Sequence, residues 1–66
     1  MEKLIIKPFA IIDYQLLEGQ LYGILRYNTT EQEWQELSDI FTNKEDAQSV
    51  VDELNQKAGN ITIILP

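Results

Sequence analysis

Residues 42–59, TNKEDAQSVVDELNQKAG, read as one amphipathic helix, and the rest of the chain has to supply a surface for it. Thr42 is placed to cap the helix, Glu45 three residues later completes a capping box, and Phe41 stands just outside the first turn as a hydrophobic staple. Ala47, Val50, Val51, Leu54 and Ala58 recur at the spacing of a 3.6-residue helix and form one apolar stripe. Glu45 and Asp46 in the first turn and Lys57 in the last complement the helix dipole, and Glu53 with Lys57 makes an i,i+4 pair. Gly59 supplies the stop.

A chain of 66 residues has room for one domain, and such a domain hides only roughly 60% of the surface its extended chain exposes. Cysteine and histidine are both absent, so neither a disulfide framework nor a Cys/His metal site can support it. Stability must come from packing, or from a partner that completes the core. A two-fold homodimer is the commonest form of such a partner.

Ahead of the helix, residues 3–14, KLIIKPFAIIDY, are rich in isoleucine and aromatics and read as extended. Pro8 has no N–H for a ladder, so it marks an edge, a bulge or a break, with the working strand starting at Phe9. The competing reading is a short helix over residues 9–18, with Pro8 at its first position and Gly19 ending it. Ile11, Ile12 and Tyr14 favour the strand. Residues 20–27 form the next strand, with Leu21, Leu25 and Tyr27 on one face and Tyr22, Ile24 and Arg26 on the other. Gly23 leaves a gap in which a bulky neighbour can approach. Residues 30–41, TEQEWQELSDIF, satisfy a helical pattern capped by Thr30, yet a helix there would leave the sheet with little to pair against. A strand over residues 32–38 returning as a hairpin is the reading adopted, with Ile40 and Phe41 descending into the core. Residues 61–65, ITIIL, make the last strand, Pro66 ending it, with Ile61, Ile63 and Leu65 turned to the helix. The expected fold is therefore a single α+β domain over residues 1–66. It has a small antiparallel sheet of three to four strands, one main helix on one face, and the order β-β-β-α-β.

The net charge of −6 is concentrated in one part of the chain. Residues 1–30 balance Glu2, Asp13 and Glu18 against Lys3, Lys7 and Arg26, while residues 31–58 carry the whole excess. That field argues against direct nucleic-acid binding and against attachment to an anionic membrane. The opening MEKLIIKPFAII is broken by Lys7 and Pro8 and lacks the character of a signal peptide, and no apolar run is long enough to span a bilayer. The expectation is a cytoplasmic chain.

Chemistry has little to work with. Without Cys or His there is no nucleophile–base pair of the usual kinds; Ser38 and Ser49 are the only serines, and Ser49, on the polar side of the helix, reads as a surface hydroxyl. Carboxylate pairs such as Glu33 and Glu36, or Asp39 and Asp46, are numerous, but a chain this small offers no pocket to raise a pKa or enclose a cation. The expectation is a protein that is not an enzyme and needs no cofactor or metal. The aromatics are more informative, because Trp and Tyr are enriched at binding hot spots. An open back face of the sheet carrying Tyr22, Ile24 and Trp34, with Arg26 as an anchor or as a cross-strand partner of Glu33 or Glu36, gives the first function class. That class is a small acidic interaction module whose partner is a protein, either another copy of the chain or a different one. The second class is an acidic mimic of nucleic acid, with Glu36, Asp39, Glu45, Asp46, Asp52 and Glu53 occupying the basic groove of a DNA- or RNA-binding protein.

Overall fold

The computed structural model describes residues 2–65. Four strands, one helix and a fifth strand follow in order: β1 Lys3–Ile6, β2 Phe9–Leu16, β3 Gly19–Asn28, β4 Glu33–Phe41, α1 Lys44–Ala58 and β5 Ile61–Ile64. The fold is α+β, and its body is a three-stranded antiparallel meander, β2-β3-β4, with α1 against one face. The residues of the two ambiguous stretches are strands. The apolar run before the helix divides at Lys7 and Pro8, so the chain has one strand more than the expected order.

The meander is held in register by its turns. Leu16 pairs with Gly19 across a two-residue link at Leu17 and Glu18, and the ladder runs back to Phe9 opposite Arg26. Pro8 cannot donate, but its carbonyl accepts from Tyr27 N–H at 2.8 Å, which extends the pairing by one step. Between β3 and β4 the Asn28 carboxamide oxygen accepts from the backbone N–H groups of Thr30 and Glu31 at 2.9 and 3.0 Å, an Asx-type turn. The β3–β4 ladder then breaks: Leu25 pairs with Glu36 and Gly23 with Ile40, leaving Leu37, Ser38 and Asp39 opposite Ile24 alone. Such a bulge increases the local twist and lengthens β4 to reach the helix.

Helix α1 begins one residue later than the sequence pattern indicates. Asn43 is the cap, extended at φ −120° and ψ 125°, and its side-chain oxygen accepts from Glu45 N–H at 2.8 Å. Thr42 lies in the link from β4, and Asn43 is at least as good a capping residue. At the other end Gly59 N–H donates to the Asn55 carbonyl at 2.9 Å, and Gly59 takes φ 73° with ψ −172°, a region open essentially to glycine alone. Ala47 and Val51 are buried with Ile24 of β3 to form the centre of the core, and Val50 and Leu54 are half-buried beside them. Ala58, expected on the apolar stripe, is exposed because the helix has run past the end of the sheet.

The last strand departs most from expectation. Instead of turning Ile61, Ile63 and Leu65 to the helix, β5 pairs with β1 in a separate two-stranded ribbon, with Lys3 opposite Ile64, Leu4 opposite Ile63, Ile5 opposite Thr62 and Ile6 opposite Ile61. Leu65 N–H donates to the Glu2 carbonyl at 2.8 Å at the ribbon's far end. Among the described residues, no other strand or helix brings a Cα within 8 Å of either ribbon strand. Two short links cause this: Lys7 and Pro8 interrupt the β1–β2 strand, and the Gly59 conformation sends the chain onward from the helix rather than back over the sheet. The result is a body with a projecting arm, 45 × 24 × 17 Å overall. Its radius of gyration is 13.4 Å, against about 11 Å for a compact chain of this length. Pro66 lies outside the described residues.

Candidate interaction surface

Strand alternation divides the meander into a face under the helix and an open face. Ile24, wholly buried, belongs to the helix side with Tyr22 and Arg26. Phe41, half-buried, belongs there too, opposite Tyr22 in the ladder. The link from Phe41 to the helix is only Thr42 and Asn43, too short to carry the chain around the edge, so α1 lies on the face toward which Phe41 points. Leu21, Gly23, Leu25 and Tyr27 occupy the opposite face with Ile12 and Tyr14 of β2 and Trp34, Glu36 and Ile40 of β4.

Two side-chain contacts organise that open face. The Tyr27 and Trp34 rings, opposite one another in the ladder, meet edge to face with centroids 5.3 Å apart and planes at 72°. Tyr14 lies over Gly23, where an added Cβ would come within 2.9 Å of its Cε2, and its hydroxyl donates to Glu36 Oε2 on the far strand. The gap foreseen at Gly23 is the passage by which a β2 side chain crosses β3 to β4. The Glu36 carboxylate raises the Tyr14 phenol above its ordinary value, first by accepting its hydrogen bond, then with smaller contributions from burial and from its charge.

What surrounds these contacts is apolar and uncovered. Trp34 is 42% exposed, Ile40 52% and Leu16 56%, against full burial of Ile24 on the other side of the sheet. From strand spacing and rise, the face measures roughly 400 Å² in plan. That is the size of the largest apolar patch on a typical monomer, about 300–600 Å².

Of the four interface residues named from sequence, only Trp34 sits on this face. Ile24 is core, Tyr22 is half-buried on the helix side, and Arg26 is exposed there with Phe9 and Gln35 as its ladder neighbours. Among the described residues Arg26 makes no ion pair; the salt bridge found is Glu53–Lys57 at 3.1 Å, both side chains well exposed. Ile40, expected in the core, is on the open face because β4 continues as a strand through Phe41. Tyr14, Leu25 and Tyr27 were missed. Alternation grouped Leu21, Leu25 and Tyr27 correctly, but it could not say which group the helix would cover.

The acidic residues do not form one surface. Glu36 lies on the open face under Tyr14, while the carboxylates of the helix are on the other side of the sheet, where Asp52 accepts from Gln48 Nε2 at 2.8 Å and Glu53 is paired with Lys57. Asp39 is exposed in the β4 bulge, and Glu45 and Asp46 in the first helical turn. Among the described residues no three carboxylates gather closely enough to hold a metal ion, and no helix is long and apolar enough to cross a membrane. Comparison with protein families, with curated proteins and with solved structures found no match to this chain.

Proposed function

We propose that this protein is a small, non-enzymatic interaction module that associates with itself through the open face of the β2-β3-β4 sheet. The observation that carries the reading is the contrast between the two faces. One is closed by α1 over a fully buried Ile24, and the other leaves Trp34, Ile40 and Leu16 about half exposed along its length, with the Tyr27–Trp34 contact at the end nearest the β3–β4 turn. Tyrosine and tryptophan on an apolar face are the usual composition of a binding hot spot. Glu36 is the one carboxylate that alternation sets among these side chains, and it accepts the Tyr14 hydroxyl, so each face brings a single negative charge to such a contact.

The division of the carboxylates between two sides of the sheet favours this reading over an acidic mimic of nucleic acid, which needs its charges on one contiguous surface. The test is sedimentation equilibrium over a range of protein concentrations. Wild type is expected to be a dimer that resists added salt, Trp34→Glu a folded monomer, and Arg26→Ala unchanged. A monomeric wild type at all concentrations, or a Trp34→Glu variant that still dimerises, refutes the proposal.

A further inference from the structure

The β1–β5 ribbon stands outside the core: Thr62, Ile63 and Ile64 line a cleft together with Tyr27, Thr29 and Gln32 of the body, and Ile6, Ile61 and Ile63 are half-buried, while the other face of the ribbon is open. Six of its side chains are aliphatic, Leu4, Ile5, Ile6, Ile61, Ile63 and Ile64, and they occupy both of its faces. Ile5 is 67% exposed and Ile64 57%. An isolated pair of short strands is marginally stable in water, and one with aliphatic residues on both faces has an added reason to be covered.

The sheet has a matching vacancy at its opposite end. The ribbon leaves the body at Phe9, and the β2–β3 hairpin at the other end carries a groove of about 440 Å³ lined by Leu16, Leu21, Gln20, Glu18, Gly19 and Thr42. Leu17 beside it is fully exposed. Lys3 is the one ionised side chain in the two ribbon strands, with exposed Glu2 directly before it, and Glu18 is the one in the groove lining. A two-fold packing of open faces with their strands antiparallel brings the ribbon end of each chain to the hairpin end of the other.

We infer that the β1–β5 ribbon is a dimerisation arm, which reaches a second copy of this chain and lies in that copy's hairpin groove at Leu16, Leu21 and Glu18. The inference rests on the open face being a self-association surface and adds what completes it. The face alone offers roughly half of the ~800 Å² that one partner contributes to a standard interface. The arm adds about 130 Å² in plan on each of its sides. The acidic excess of residues 31–58 also limits how two copies can meet, and the ribbon, in which Lys3 offsets Glu2, lies outside it.

Complementation tests the arm separately from the face. Two variants alter exposed positions: an arm variant, Ile5→Glu with Ile64→Glu, and a groove variant, Leu17→Glu with Glu18→Lys, at the hairpin tip outside the open face. Hydrogen exchange at the Ile24 amide checks that the body is folded. Each variant by itself should raise the dimer Kd by about tenfold or more. An equimolar mixture should recover about half of that loss on a logarithmic scale, because the mixed dimer keeps one intact arm in one intact groove. An arm variant that dimerises like wild type while Trp34→Glu does not overturns the arm and leaves the open-face reading standing. Loss in both variants without recovery on mixing also overturns it, since an arm and a hairpin tip that each contribute independently would behave in that way. A monomeric wild type overturns both.

Discussion

Asn55 is bonded to both backbone groups of Phe9. Its side-chain oxygen accepts from Phe9 N–H at 2.9 Å and its side-chain nitrogen donates to the Phe9 carbonyl at 3.0 Å, so the carboxamide stands where a neighbouring strand would. The same residue's backbone carbonyl accepts from Gly59 N–H. One position therefore ends the helix, closes the exposed edge of β2 and fixes where the arm leaves the body. Truncating it leaves a part-buried donor and acceptor without partners, at a cost of about 1–3 kcal/mol. Asn55→Ala is expected to lower the urea midpoint accordingly, with an unchanged m-value.

The close approach of Tyr14 to Gly23 predicts a non-additive pair. Gly23→Ala puts a methyl group within 2.9 Å of the Tyr14 ring and 3.2 Å of Ile12 Cγ2, so it should destabilise by about 1–3 kcal/mol. In a Tyr14→Ala background most of that penalty should vanish, because the ring no longer occupies the space. A double-mutant cycle by chemical denaturation reads the coupling, and strict additivity would contradict the crossing of Tyr14 over β3.

The Tyr14–Glu36 hydrogen bond makes stability depend on alkaline pH. Folding raises the phenol above its ordinary value of 10.0. The pair's contribution is therefore fully present below about pH 10, and it is lost as pH rises through the folded value, when a phenolate would face a carboxylate. Ultraviolet titration, taken as the difference between wild type and Tyr14→Phe, should show Tyr14 ionising later than a free tyrosine. In Glu36→Gln its midpoint should fall back toward the ordinary value. An unchanged midpoint in that variant would sink the assignment.

The turn into β4 holds a residue in an unfavourable conformation. Gln32 has φ 57°, which a side chain with a Cβ adopts at a cost of about 1 kcal/mol. Gln32→Gly is expected to leave the fold intact and to stabilise it by a few tenths of a kcal/mol up to about 1, visible as a higher thermal midpoint. Gly59→Ala, at φ 73° and ψ −172°, should do the reverse, by about 1–3 kcal/mol. It should also reorient the arm, weakening dimerisation more than the change in fold stability alone accounts for.

Local chemistry was sufficient to determine a large part of this structure. The helix within residues 42–59, its charges and its glycine stop follow from periodicity and helix-end chemistry, though its cap is Asn43 and not Thr42, and the break at Pro8 follows from a missing N–H. The gap at Gly23 and the grouping of Leu21, Leu25 and Tyr27 follow from the absence of a Cβ and from the two-residue period of a strand. Each is an interaction of a residue with its near neighbours, so each is written in the sequence. Tertiary structure decided which face of the meander the helix covers, because both faces of β3 carry enough apolar residues to pack, and the choice is made by the short Thr42–Asn43 link beyond Phe41. It moved Ile24 from the candidate interface into the core and Ile40 from the core onto the open face. It also decided the fate of β5: an ITII strand fits the edge of the main sheet as well as a partner of β1, and only the path set by Gly59 and Pro8 separates them. Alternation fixes which side chains travel together, whereas burial depends on contacts between segments far apart in the chain, and no local pattern contains those.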